Sequence, residues 1–214
     1  MKMHLKRQKV PKTWPIPRKG TAFVVRFNSK GIPVLVVLRD ILNLAQNRRE
    51  VKKALNQKHV LLNGKPVIDE KKSLELLDIL NIVPSKKNYR LGLSQYGKYE
   101  LTEVSEKDAS KKNSKVIGKK ILKSKKVQLN LGDGRNYISD LKCKVNDSVI
   151  VNLQKNKLEK VLPLKDKSNI LVIGGKHSGY KGEISKIFPE LKMAEIKSGE
   201  NKFNVLIKQL MVTE

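Results

Sequence analysis

Arg39-Asp-Ile-Leu-Asn-Leu-Ala-Gln-Asn-Arg48-Arg-Glu-Val-Lys-Lys-Ala-Leu-Asn-Gln-Lys-His-Val-Leu-Leu-Asn63-Gly64-Lys65 is the stretch that decides the fold. Asn47 can cap a helix running from Arg48 to about Gln57, and Glu50 at the third position completes a capping-box-like pattern. Val51, Ala54 and Leu55 then share one face, while Arg49, Lys52, Lys53 and Asn56 occupy the opposite one and Arg48 stands at the border. After the helix, His59 to Ile68 holds two apolar runs around Asn63-Gly64. Both of those residues tolerate positive φ, so the pair predicts a tight hairpin. The hairpin brings His59, Asn63 and Lys65 within reach of whatever binds the helix. Upstream, Pro33 to Ala45 is apolar enough for a buried helix with Pro33 in its first turn, although its β-branched residues leave the start ambiguous.

On the N-terminal side, the first 20 residues carry Lys2, Lys6, Arg7, Lys9, Lys12, Arg18 and Lys19 and no acid. Pro11, Pro15 and Pro17 forbid a continuous helix. The segment reads as an extended basic arm that lies on a partner, with Trp14 as a stacking indole.

On the C-terminal side, Leu76–Val83, Tyr89–Leu93 and Tyr99–Val104 read as strands, and Gly97 turns between the last two. A lysine tract follows, with nine Lys and one acid from Lys107 to Lys126. Val127–Leu131, Tyr137-Ile138, Ser148–Leu153 and Leu158–Val161 then alternate as strands of a small antiparallel β domain. The last fifty residues repeat the style with glycine turns: Asn169–Ile173, Glu183–Ile187, Lys192–Ile196 and Phe203–Ile207 suit a small barrel. No tandem repeat is visible.

The charge says what the surface is for. The chain has 214 residues, with 46 Lys+Arg against 20 Asp+Glu, a formal net charge of +26. That excess repels itself unless a polyanion shares the space. The cations are 38 Lys and 8 Arg, which favours phosphate neutralisation over bidentate reading of bases. The single Cys143 makes neither an internal disulfide nor a zinc site and fits a reducing compartment. No apolar run is long enough to span a bilayer, no secretory signal opens the chain, and no basic helix with a wide apolar face suits a membrane surface.

Catalysis finds no foothold in the residues. Gly174-Gly-Lys-His-Ser-Gly179-Tyr-Lys-Gly182 has glycines but not the Lys-Ser/Thr that a phosphate-binding loop needs, and a strand rather than a helix follows it. His4, His59 and His177 have no metal spacing, so no metal and no cofactor is expected. Cys143 between Lys142 and Lys144 reads as a buried or idle thiol, and the acids do not converge as a catalytic pair.

The helix and hairpin resemble the small RNA-binding domain first described in bacterial ribosomal protein S-four, with its V-x-[VI]-[ND]-G-K-like strand. His4-Leu-Lys-Arg7 with Pro11-Lys12 and Trp14 resembles the N-terminal H-L-K-R…P-K-x-W signature of the archaeal and eukaryotic small-subunit ribosomal protein family S-four-e. Asn169 to Ile184 resembles a KOW motif, and Tyr89-Arg-Leu and Lys144 to Val149 resemble the central domain of the same family. The departures are Asn146 where Gly is usual, Asn47 where a small residue often opens the second helix, and a short C-terminus.

The resemblance implies an α+β chain with a basic arm over residues 1–32, an S-four-like helix pair and hairpin over 33–82, a central antiparallel β domain over 83–165 and an SH3-like KOW barrel over 166–214. It implies a non-catalytic cytoplasmic constituent of the small ribosomal subunit, supporting assembly and translation. Its expected partners are ribosomal RNA and neighbouring small-subunit proteins. An RNA-binding or RNA-modification factor outside the ribosome is the alternative, and it would need a catalytic domain for which no residues remain. A KOW-bearing elongation factor would need a different domain ahead of the barrel.

By position the resemblance brings His4, Lys6, Arg7, Lys12 and Trp14 of the arm, and Arg39, Arg48, Arg49, Lys52, Lys53, Asn63 and Lys65 of the S-four-like surface, into RNA contact. The basic concentrations add Lys9, Arg18 and Lys19 in the arm, Lys58 after the helix, Lys111, Lys112, Lys115, Lys119 and Lys120 in the lysine tract, and Lys176, His177 and Lys181 in the glycine loop.

Overall fold

Strands dominate the computed structural model, and helix is scarce. It describes residues 5–26, 30–123, 126–139, 141–199 and 201–213. The chain divides into two compact units, one of Met1–Ser94 with Lys98–Ala109, the other of Gln95–Gly97 with Ser110–Glu214.

In the first unit, β1 (Leu5–Lys6) pairs antiparallel with β2 (Phe23–Val24), closing the N-terminal segment into a loop. The loop is not an extended arm. Val10 and Trp14 enter the hydrophobic core with Val34, Leu35, Val51, Leu55, Val60 and Leu74. Trp14 is only 3% exposed. Its Nε1–H donates to the Gly31 carbonyl at 2.9 Å, which settles the polar edge of an otherwise apolar ring. The expectation of a stacking indole on RNA is therefore corrected: an apolar ring gains more from this core than from a solvent-facing perch.

β3 (Ile32–Pro33) pairs with β6 (Ser73–Leu74). Their approach explains Gly31, where φ is +110° and a Cβ would stand 1.9 Å from the Leu74 carbonyl oxygen. The buried helix expected from Pro33 to Ala45 is shorter than that. One α-helical turn, α1 (Val34–Val36), runs into a π-helical turn (Val37–Ile41), and the Leu42 N–H reaches back to the Val37 carbonyl at 2.9 Å. Asn43 at φ 52° ends it. α2 (Arg48–Asn56) follows as the capping pattern predicts.

The hairpin of β4 (Val60–Leu62) and β5 (Lys65–Pro66) turns through Asn63 at φ 51° and Gly64 at φ 78°. β7 (Ile79–Ile82), β8 (Lys87–Leu93) and β9 (Tyr99–Val104) complete an antiparallel sheet in the order β5-β4-β7-β8-β9. The strand expected from Leu76 begins only at Ile79, because Leu77 turns at φ 62°. Strands β8 and β9, expected to open a central domain, thus extend the hairpin's sheet, and the compact unit ends at Ala109.

The second unit opens with the lysine tract, which is an 11-residue strand, β10 (Lys111–Ile121). It is the middle strand of the sheet β12-β11-β10-β13-β14, made with β11 (Val127–Leu131), β12 (Asn136–Ile138), β13 (Ser148–Asn152) and β14 (Lys157–Leu162). Val116, Leu129, Leu131, Tyr137, Cys143, Val149 and Val151 form a core on it. Burial pushes the Cys143 thiol pKa up, more than the nearby Lys119 charge lowers it.

The last fifty residues form a second antiparallel sheet, in the order β18-β17-β16-β15-β19: β15 (Asn169–Val172), β16 (Lys181–Phe188), β17 (Met193–Ser198), β18 (Asn201–Leu206) and β19 (Leu210–Val212). A 3-10 turn (Ile207–Gln209) joins the last two, and β19 escapes sequence reading because it has only three residues. Gly182 lets β16 and β17 approach, since a Cβ there would meet the Lys197 carbonyl oxygen at 2.3 Å. Ile150 and Leu162 of the first sheet pack with Ile170, Ile184, Ile196 and Leu210 of the second in one core.

Candidate nucleic-acid interface

The first unit presents its charge on α2. The Asn47 side chain accepts the Glu50 N–H at 3.0 Å, and the Glu50 carboxylate accepts the Gln46 N–H at 2.7 Å, so the box closes one residue earlier than the usual pattern. A cap of this kind is worth about 1 kcal/mol. Val51 and Leu55 are buried, each contributing about 1.5–3 kcal/mol, and this burial fixes the helix's rotation. Arg49, Lys52 and Lys53 are thereby turned to solvent, and none of them is ion-paired among the described residues. Asn47, Arg48, Arg49 and Lys52 line an open depression at the helix start. Lys58, past the far end of the helix, and Lys65, in the hairpin, are exposed, and His59 is half-buried.

The expected contacts divide by chemistry. The arginines are largely engaged within the fold. Arg48 forks onto the buried Glu70, Nε lying 2.8 and 2.9 Å from its two oxygens, and that hydrogen bond raises the Arg48 pKa. Arg39 forks onto Asp40 at 2.8 and 2.9 Å. Arg7 donates to the Pro17 and Thr21 carbonyls and to the Thr21 hydroxyl, and Arg18 donates to the Gln8 carbonyl. The rigid guanidinium fork shapes the loop. Lys6, Lys9, Lys12 and Lys19 remain exposed around it. His4 lies outside the described residues.

Asn63 is corrected. It is buried, its Nδ2–H donating to Asp78 at 2.8 Å and its Oδ1 accepting the Ile79 N–H at 3.0 Å, so its side chain locks the hairpin instead of facing a partner.

The lysine tract is corrected in the same way. Lys112 is 2% exposed and pairs with Asp133 at 2.8 Å. Lys115 is 7% exposed and donates to the carbonyls of Ile207, Lys208 and Leu210 at 2.6, 3.2 and 2.8 Å. Burial pulls its pKa down to about 8. A middle strand packed on both faces leaves these two side chains no route to solvent. Lys111 reaches Glu159 at 3.3 Å and Lys119 donates to the Cys143 carbonyl at 3.3 Å, while Lys119 and Lys120 stay exposed.

In the glycine loop Lys176 and Lys181 are exposed. His177 stacks on Phe203 with ring centroids 4.3 Å apart, and Tyr180 stands edge-on to both. Phe203 and Tyr180 are absent from the expected contact set, and only the pairing of β17 with β18 brings Phe203 to the loop. Gly175 and Gly179 take positive φ and the chain leaves directly into β16, so the loop is a turn and not a phosphate cradle. Among the described residues no group of acids, histidines or cysteines could hold a metal. No described helix is long and apolar enough to cross a membrane.

A mostly β chain with lysine-rich surfaces belongs to the class of proteins whose partner is a polyanion. Comparison with known proteins makes this particular. The model of Ribosomal family S4e matches residues 85–158, and that of the RS4NT (NUC023) domain matches residues 1–29. The small ribosomal subunit protein eS4 of Methanocella arvoryzae is 37% identical over 86% of this chain and 80% of its own length. That of Nanoarchaeum equitans is 35% identical over 87% and 83%, and that of Haloarcula marismortui 31% over 98% and 89%. The crystal structure of the 30S ribosomal protein S4e from Thermoplasma acidophilum superposes with a TM-score of 0.74 at 25% identity, covering 86% of this chain and 95% of that one. The chain belongs to the small ribosomal subunit protein eS4 family.

Proposed function

We propose that the chain is a non-catalytic constituent of the small ribosomal subunit that binds ribosomal RNA, beside neighbouring ribosomal proteins, in the cytoplasm. The observation that carries this is the α2 face, where Arg49, Lys52 and Lys53 stand free opposite the buried Val51 and Leu55, in a chain of formal net charge +26. Such a face meets phosphates and 2′-hydroxyls of a folded RNA by shape. α1, α2 and the β4–β5 hairpin act as the S-four-like module. The strand order of the last sheet, with its 3-10 turn before β19, supports an SH3-like KOW barrel. The exposed lysines of the N-terminal loop, Lys58, Lys65, Lys120, Lys176 and Lys181 extend the contact surface.

The test is the salt dependence of binding to small-subunit RNA. Wild type should weaken steeply with salt as counterions return to the phosphates. Arg49→Gln, Lys52→Gln and Lys53→Gln together should lower the log–log slope by about two to three and leave the fold intact. An unchanged slope in the triple variant would move the RNA face elsewhere.

A further inference from the structure

Among the described residues β9 is the last strand of its sheet. The direction of its peptide groups follows from three hydrogen bonds. Leu91, opposite Leu101 in the register, spends its N–H on the Asp78 carbonyl and its carbonyl on the Leu77 N–H, both on the far side from β9. The Ser94 N–H takes the Lys98 carbonyl at 2.8 Å. The Tyr99 N–H donates away from β8, to the Thr13 carbonyl, at 2.8 Å. Antiparallel alternation then turns Glu100, Thr102 and Val104 toward β8 and Leu101 and Glu103 outward. The Thr13 carbonyl, in the turn from Pro11 to Trp14, takes the first outward N–H, so the outward groups of this edge are placed to bond a backbone from outside the sheet.

The charge of β9 and the segment that follows it is inverted relative to the chain. Residues 99–109 hold Glu100, Glu103, Glu106 and Asp108, four of the chain's 20 acids, against one cation, Lys107. All four acids are exposed. Glu103 lies 3.5 Å from Lys87, with both side chains more than half exposed, so that pair exchanges readily. An RNA phosphate is repelled here, and two copies of β9 repel each other. A cationic extended peptide is attracted, and its main-chain groups match the open ladder.

We propose that the outer edge of β9, from Leu101 to Glu103, docks an extended Lys/Arg-rich segment of a neighbouring small-subunit protein as an added strand, a proposal that rests on the ribosomal reading above. The experiment titrates the full chain with a short peptide of alternating Lys and Thr and follows amide exchange at Leu101 and Glu103. The peptide should bind and protect both amides. Glu100→Gln with Glu106→Gln should weaken it about tenfold. Glu103→Pro deletes an outward N–H that the ladder does not use, so it should abolish binding while the fold persists. Small-subunit RNA affinity should be the same in all variants. Undiminished peptide binding by Glu103→Pro would overturn the proposal, as would protection of these amides by RNA instead of peptide. Failure of the ribosomal reading shows separately, as wild type that binds small-subunit RNA without salt dependence.

Discussion

Replacing Trp14 by alanine should cost the first unit much of its stability. The ring is 3% exposed and packs among Val10, Val34, Leu74 and their neighbours. Truncating a buried Trp to Ala costs about 3–5 kcal/mol in lost contact and residual cavity. Part of that sum is the bond to Gly31, since losing it leaves a carbonyl without its donor, at about 1 kcal/mol. About 4 kcal/mol is a large share of the roughly 5–15 kcal/mol that holds a domain together. With a urea slope of about 1–3 kcal/mol/M, the midpoint should fall by roughly 2 M. The chain has one Trp, so wild-type indole fluorescence reports the first unit alone, and far-UV circular dichroism follows the variant. Trp14→Phe keeps most of the apolar volume and should lose only about 1–2 kcal/mol. Because the indole is a core residue, Trp14→Phe should bind small-subunit RNA as wild type does. An unshifted midpoint in Trp14→Ala, or an RNA affinity that collapses in a stably folded Trp14→Phe, would refute the reasoning.

Three further outcomes test the packing. Lys115 has its folded pKa lowered to about 8, below the usual 10.5, so the unfolded chain binds more protons across that window. The second unit should therefore gain stability as pH rises from about 8 to about 10.5, and Lys115→Met should flatten that rise in urea midpoints measured against pH. Lys112→Met leaves the buried Asp133 carboxylate with only the longer Arg135 contact at 3.8 Å and the Arg135 N–H, and should cost about 2–4 kcal/mol, while Lys112→Met with Asp133→Asn, which removes the charge and keeps the turn acceptor, should recover part of it. Gly31→Ala places a methyl against the Leu74 carbonyl and should unfold the first unit at ordinary temperature. Gly64→Ala, at φ 78° with open space around it, should cost only about 1–2 kcal/mol. Equal melting temperatures for the two glycine variants would count against the β3–β6 approach.

The parts of the fold that sequence reveals are those written locally. Asn47 and Glu50 define the start of α2 within three residues, and Asn63-Gly64 define the hairpin by their own backbone preferences. Glycine turns marked most strands of the second unit for the same reason. The buried lysines were illegible because their partners are remote: Asp133 is 21 residues from Lys112, and the carbonyls that hold Lys115 lie 92 to 95 residues on. A run of lysines reads as solvated surface until the topology shows that its strand is the middle one. Trp14 misled in the same manner, since the Gly31 carbonyl is 17 residues away and an indole among prolines and lysines looks equally suited to a base. The α2 face was legible because helical periodicity alone separates Val51 and Leu55 from Arg49, Lys52 and Lys53. Arg48 was harder to read, because Glu70 claims it from beyond the hairpin.

The most direct measurement is sedimentation of cell extract containing the tagged chain through a sucrose gradient. The chain should travel with small ribosomal subunits at moderate salt and be released as salt is raised. A chain that stays in the ribosome-free fractions while the small subunits sediment intact would contradict its assignment as an RNA-bound constituent of that particle.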